Sequence, residues 1–214
     1  MKKEIELTIP TDWADVPLRK YIALTDEMEN YKDDEEASTA VIIWHLCNLD
    51  PSNLKGISVA DYAMLKGELS TFMNKIEFDL QRIITIDGIE YGFEPNLSNM
   101  AYGAYADITQ YKDIKIDANW PKIMNILYRP VTDKKGTMYS IKTYDGDTDY
   151  KKWLDVGMDV NFGALFFFVN LSTDLVKSIP KSLKEMELPP SIISILEKSG
   201  EAIQQYTNSH KEIS

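Results

Sequence analysis

The chain has one cysteine, Cys47, and two histidines, His45 and His210, among 214 residues. A single cysteine excludes an intrachain disulfide and suits a reducing compartment. It also leaves no Cys/His zinc motif, because a structural zinc site gathers four such ligands. Cations are in short supply: 23 Lys and Arg stand against 34 Asp and Glu, a formal net charge of −11. A negative field repels phosphates, so direct nucleic-acid binding is not expected. Neither G-x-x-x-x-G-K-[ST] nor G-x-G-x-x-G occurs, which removes the two common phosphate cradles. Long apolar runs are missing too. The longest, "FGALFFFV" from Phe162 to Val169, is too short to span a bilayer and reads as a buried helix, so no membrane partner is expected. The start, "MKKEIELTIP", alternates charged and apolar residues where a signal peptide would carry an apolar core.

What is present reads as an α+β fold. Hydrophobic residues at 44% and charged residues at 27% exclude a disordered chain, and the length suits one domain or two small ones. "KEIELTIP" puts Ile5, Leu7 and Ile9 on one side, a half-buried N-terminal strand ended by Pro10. A first helix follows, N-capped by Asp15 with Pro17 in its first turn and Leu18, Tyr21, Ile22 and Leu24 inward. A second, "EASTAVIIWHLCNL", has Val41, Ile42, Trp44, Leu46 and Leu49 and so little polar surface that it is expected at the centre. A third starts at a Ser58/Asp61 capping box and carries a stripe of Val59, Tyr62, Leu65, Leu69, Phe72 and Met73.

After residue 76 the pattern changes. Two alternating runs flank Asp87-Gly88, which predicts a hairpin over Ile83–Phe93 with a type I′ turn. "NLSNMAYGAYADI" predicts a short helix with Tyr102 and Tyr105 on one face. "ANWPKIMNILYRP" predicts another, ended by Pro130. "GTMYSIKTYDG" alternates as a further strand, "DTDYKKWLDVG" reads as a short helix, and "MDVNFGALFFFVNLSTDLVKSIPKSL" as the main C-terminal helix. "PPSIISILEKSG" reads as a last short helix. The fold is therefore mainly helical, with an N-terminal strand and one or two β-hairpins packed on helices. Its organisation is 1–76 (a strand and three helices) and 77–214 (hairpins and C-terminal helices), the two forming one compact unit.

Candidate chemistry is sparse. His45 and Cys47, two apart on a helix, point about 200° from each other and do not face, so they read as core residues rather than a base and a thiolate. "DGDTD", Asp145 to Asp149, resembles the start of a calcium loop. The sixth and twelfth places hold Tyr150 and Val156, where an EF-hand needs Gly and Glu. The acidic run "DEMENYKDDEE" reads as a solvated loop, a contact for a basic partner being the alternative. Phe166, Phe167 and Phe168 cover about 200° of a helix, either as core or as a surface that meets another chain. No cofactor, metal or catalytic residue is assigned.

The order of short motifs is more informative than any one of them. "IPTDWADVPLRKYIAL", "HLCNLDPSNLKGISVADYAML", "IEYGFEPNLSNMAYGAYADI", "ILYRPV", "YSIKTYDG" and "GALFFFVNLSTDLVKS" follow one another over about residues 8 to 178. This order resembles small acidic proteins encoded in the virion-morphogenesis modules of tailed bacteriophages. The N-terminal half, with "LCNLDP" and "I-S-V-x-D-Y", is similar to tail assembly chaperones. The resemblance implies a non-enzymatic role in building the particle, exercised by protein–protein binding. It further implies other phage structural proteins as partners, self-association as a second contact, and a location in the host cytoplasm during assembly or in the virion. Tyr102, Tyr105, Phe166, Phe167 and Phe168 are the expected partner-binding residues. Two other readings stay open. One is a minor structural component of neck or tail, or a packaged protein. The other is a small enzyme, which would need a polar pocket gathering Asp107, Arg129 and a tyrosine.

Overall fold

A computed structural model of the chain describes residues 7–75, 78–97, 100–111 and 114–178, and of 169–178 the helical backbone alone. The fold is α+β: among the described residues there are seven α-helices and one four-stranded antiparallel sheet. The chain divides into two units, Met1–Phe78 with Lys151–Phe162 and Asp79–Tyr150 with Gly163–Ser214.

The first unit is helical. The expected N-terminal strand is not supported: Leu7–Pro10 is not in a strand, and residues 1–6, the rest of that stretch, lie outside the described residues. Alternation alone does not make a strand when no neighbouring strand takes up its backbone groups. The first cap also differs from expectation. Asp12 accepts from the Ala14 amide at 2.9 Å, and Asp15 accepts from the Asp12 amide at 3.3 Å, closing a 3-10 turn over Trp13–Asp15. Helix α1, Leu18–Met28, starts only after Pro17, whose missing N–H costs nothing at that place. Leu18, Tyr21, Ile22 and Leu24 are buried, as their spacing requires.

Helix α2, Glu35–Cys47, is capped by Asp34 and ended by Asn48 in the left-handed region, φ 54°, a conformation that Asn tolerates. Its Trp44 is 41% exposed, against the expected core position. The predicted turn after it holds a one-turn helix, α3, Pro51–Leu54, capped by Asp50. Helix α4, Val59–Met73, opens at Ser58. The Ser58 hydroxyl accepts from the Asp61 amide at 3.1 Å and donates to the Asp61 carboxylate at 2.6 Å. Leu65, Leu69 and Phe72 are buried, but Val59 is 87% exposed.

Trp13 anchors the unit. Its ring lies 4.5 Å from Phe72, 5.9 Å from Tyr21 and 5.1 Å from Phe162 between centroids. The segment from Lys151 returns to this unit through a bridge between Pro17 and Gly157. The Leu18 amide donates to Val156 O, and the Met158 amide to Val16 O, each at 2.9 Å. Gly157 is needed there: a Cβ would stand 2.7 Å from Ala14 O. The expected short helix here is a 3-10 turn, Lys151–Asp155, that buries Trp153.

The second unit carries the sheet, in the order β1-β2-β3-β4. Strands β1, Ile83–Ile86, and β2, Ile89–Phe93, form the predicted hairpin. Asp87 at φ 50° and Gly88 at φ 78° give the positive φ that a type I′ turn requires. Helices α5, Tyr102–Thr109, and α6, Trp120–Leu127, follow. Pro130 does not end α6. The helix stops at Leu127 and the chain enters β3, Tyr128–Lys135, at once, with Pro130 inside a central strand. A two-residue turn at Gly136 (φ 62°) leads to β4, Met138–Ile141.

The Phe93 ring lies 5.1 Å from Tyr128 and 5.3 Å from Phe167, and the Tyr128 hydroxyl donates to Gln81 O at 2.7 Å. Helix α7, Met158–Ser178, brings Gly163 against the Asp79 and Leu80 backbone, too close for any side chain. The predicted last helix lies outside the described residues. Among the described residues no helix is long and apolar enough to cross a membrane.

Candidate functional site

Proline in a central strand leaves a ladder position without a donor. Lys142 N donates to Pro130 O at 2.8 Å, but Pro130 has no N–H to return to Lys142 O. Arg129 supplies it: Nε donates to Lys142 O at 2.8 Å. The same guanidinium donates through Nη1 to Ile126 O at 3.0 Å and through Nη2 to the Glu94 carboxylate. Arg129 and Glu94 are each 9% exposed. The other Glu94 oxygen accepts from the Asn96 amide at 3.3 Å, and Glu94 N donates to Leu127 O at 2.7 Å. The end of α6 and the adjoining ends of β2, β3 and β4 are thereby tied to one charged pair.

Tyr144 extends the network. Its ring lies 6.0 Å from the Arg129 guanidinium carbon, and its hydroxyl donates to the Asp107 carboxylate. Burial, reinforced by that carboxylate, pushes the phenol far above its ordinary value, so Tyr144 keeps its proton at neutral pH. On the neighbouring strands, the Tyr139 hydroxyl donates to Phe93 O at 2.7 Å. Its ring lies over Gly92, where a Cβ would stand 2.6 Å from Cε2.

Asp107, Arg129 and a tyrosine are thus brought together, the constellation an enzyme would need here. What they do chemically is narrower. The Tyr144 proton is held by Asp107, and three Arg129 nitrogens are held by protein oxygens. A general base needs an acceptor within reach of substrate and a pKa near the working pH. The bonds made here tie Asp107 to Tyr144, and Arg129 to Glu94 and to the carbonyls of Ile126 and Lys142.

The remaining candidates resolve separately. Cys47 is 5% exposed, and burial pushes its thiol up against the opposing pull of Lys20. His45 turns to α1, its Nε2 2.8 Å from Glu27 Oε2. In "DGDTD", Asp145 is paired with Lys142 at 2.6 Å, which holds its carboxyl below the usual range. Asp145 and Asp147 also accept from the amides of Asp147 and Asp149, at 3.3 and 2.9 Å, a run of side-chain-capped turns. No group of three or more His, Cys, Asp or Glu is placed to hold a metal among the described residues.

Of the expected contact residues, Tyr102 is 83% exposed at the start of α5, and Tyr105, one turn on, is half-buried. Phe166, Phe167 and Phe168 are all half-buried. Phe167 and Phe168 reach Phe93 at 5.3 and 6.0 Å. The reading of periodicity missed a different surface. Val59, Ala60, Ala63, Met64 and Gly67 form an exposed, uncharged face of α4, with Met64 62% exposed. The signal was available: these positions repeat at helical spacing and alternate with the buried Leu65, Leu69 and Phe72. Comparison with protein-family models, with curated proteins and with solved structures gives no match.

Proposed function

We propose that this is a non-enzymatic bacteriophage morphogenesis protein, a tail assembly chaperone-like factor that acts by binding another phage structural protein in the host cytoplasm. The order of motifs over residues 8 to 178 supports the phage assignment. The observation that carries the binding role is the outer face of α4. Val59 is 87% exposed and Met64 62%, on a helix whose opposite face already fills the core. An apolar helix face outside the core meets another apolar surface. The charge of −11 keeps such a protein from aggregating while that face is free.

The test is recovery of the tagged protein from infected cells beside a Val59→Asp/Met64→Asp variant. Both positions are exposed, so the variant keeps its fold. A stoichiometric phage structural protein accompanies the parent and is lost from the variant. Equal recovery with both, or recovery of no phage protein, contradicts the assignment. A place in the finished particle as a minor neck or tail component is the second reading, favoured if mass spectrometry of purified virions finds the chain at fixed copy number.

A further inference from the structure

We infer that β1 is a self-pairing edge, through which two copies of the chain join their sheets about a two-fold axis at Thr85. β1 ends the sheet, with β2 on one side and no strand on the other among the described residues. The hairpin fixes which groups face out. Ile86 closes a two-residue turn opposite Ile89, Ile84 faces Tyr91, and the Phe93 amide donates to Arg82 O at 2.8 Å. Residues 82, 84 and 86 therefore spend their backbone groups on β2. Ile83 and Thr85 direct theirs away from it, and Thr85 is exposed.

Sheets blunt an open edge with proline, lysine, a bulge or a covering element. The four residues of β1, Ile-Ile-Thr-Ile, include no proline or charge.

The occupant follows from self-complementarity. In an antiparallel pair centred on Thr85, each Ile84 stands opposite Ile86 of the second copy, and the two Thr85 face one another. Ile89, 50% exposed, continues the row beyond Ile86 on the same face. The pairing makes one apolar ladder, Ile89, Ile86, Ile84 and Tyr91, running across both sheets. A register centred on Ile84 would set Ile86 against Arg82 and break that ladder. The two Thr85 exchange a reciprocal pair of N–H···O=C bonds at the centre. This pairing does not depend on the role in phage assembly.

Sedimentation equilibrium of the full chain, from micromolar to millimolar, reads the pairing directly. The parent dimerises over this range and Thr85→Val matches it. Thr85→Pro removes an outward N–H that β2 does not use, so it keeps the fold and raises the dissociation constant at least about tenfold. A parent that stays monomeric throughout, or a Thr85→Pro chain that dimerises as well as the parent, overturns the inference. Hydrogen exchange in the parent gives a readout that needs no variant. The Thr85 amide exchanges fast in dilute protein and is protected in concentrated protein, and equal exchange at both also overturns it. Protection that appears only when a different phage protein is added assigns the edge to that protein and removes the two-fold pairing.

Discussion

Arg129 Nε donates to Lys142 O at 2.8 Å, filling the ladder position that Pro130 leaves vacant. This makes Arg129 a backbone group by proxy as well as the partner of Glu94. Arg129→Met removes three hydrogen bonds and strands the Glu94 carboxylate in the interior. We expect a loss of about 3–5 kcal/mol, read from urea unfolding, since breaking one partner of a buried pair leaves an uncompensated charge. Adding Glu94→Leu recovers only part of it, because the carbonyls of Ile126 and Lys142 remain unserved. Full recovery in the double variant would show that the ion pair alone matters.

Gly88 sits at φ 78° with open space around its Cα. Its requirement is for conformation and not for room. Gly88→Val costs about 1 kcal/mol or more, because a β-branched residue resists positive φ. An unchanged melting temperature would contradict the turn assignment. Gly163→Ala fails for the opposite reason: its Cβ would meet the Asp79 carbonyl, and backbone cannot step aside cheaply.

Tyr144 gives the second unit an alkaline limit. Its folded pKa is raised above the ordinary 10.0, first by burial and then by Asp107. A raised acid favours folding while protonated. Its contribution is therefore complete below pH 10 and is lost as pH rises towards the folded value. Stability measured from pH 9 upwards should fall less steeply in Tyr144→Phe than in the parent. Parallel curves would mean that Tyr144 titrates normally.

Cys47 is enclosed, with its thiol pKa raised by burial. Maleimide should label it only as fast as the first unit opens, with added urea accelerating the reaction. Rapid stoichiometric labelling of native protein would place the thiol at the surface.

Local chemistry made some of this fold legible. Asp87-Gly88, the Ser58/Asp61 cap and the spacing of Leu65, Leu69 and Phe72 act within a few residues, so they could be read directly. β3 could not. "YRPVTDKK" carries a proline and a charged end, and it becomes a strand because Arg129 substitutes for the missing donor and β2 and β4 lie on both sides. The return of Lys151–Phe162 to the first unit rests on Leu18 and Val16 meeting Val156 and Met158, a pairing over more than a hundred residues that periodicity does not encode. Val59 looked like core because a stripe says which residues share a face and not which face is covered. Asp107, Arg129 and a tyrosine were named only as what an enzyme would need; that the tyrosine is Tyr144, and that Arg129 serves the carbonyls of Ile126 and Lys142, depends on contacts that sequence does not place.

We propose, above all, that the chain works by binding during particle assembly. The most direct measurement is electron microscopy of lysates from a phage carrying an amber codon in this reading frame, grown in a nonsuppressing host. We expect filled heads without tails, with normal particles restored by a supplied copy of the parent and not by the Val59→Asp/Met64→Asp variant. A normal yield of tailed, infectious particles without the protein would contradict it.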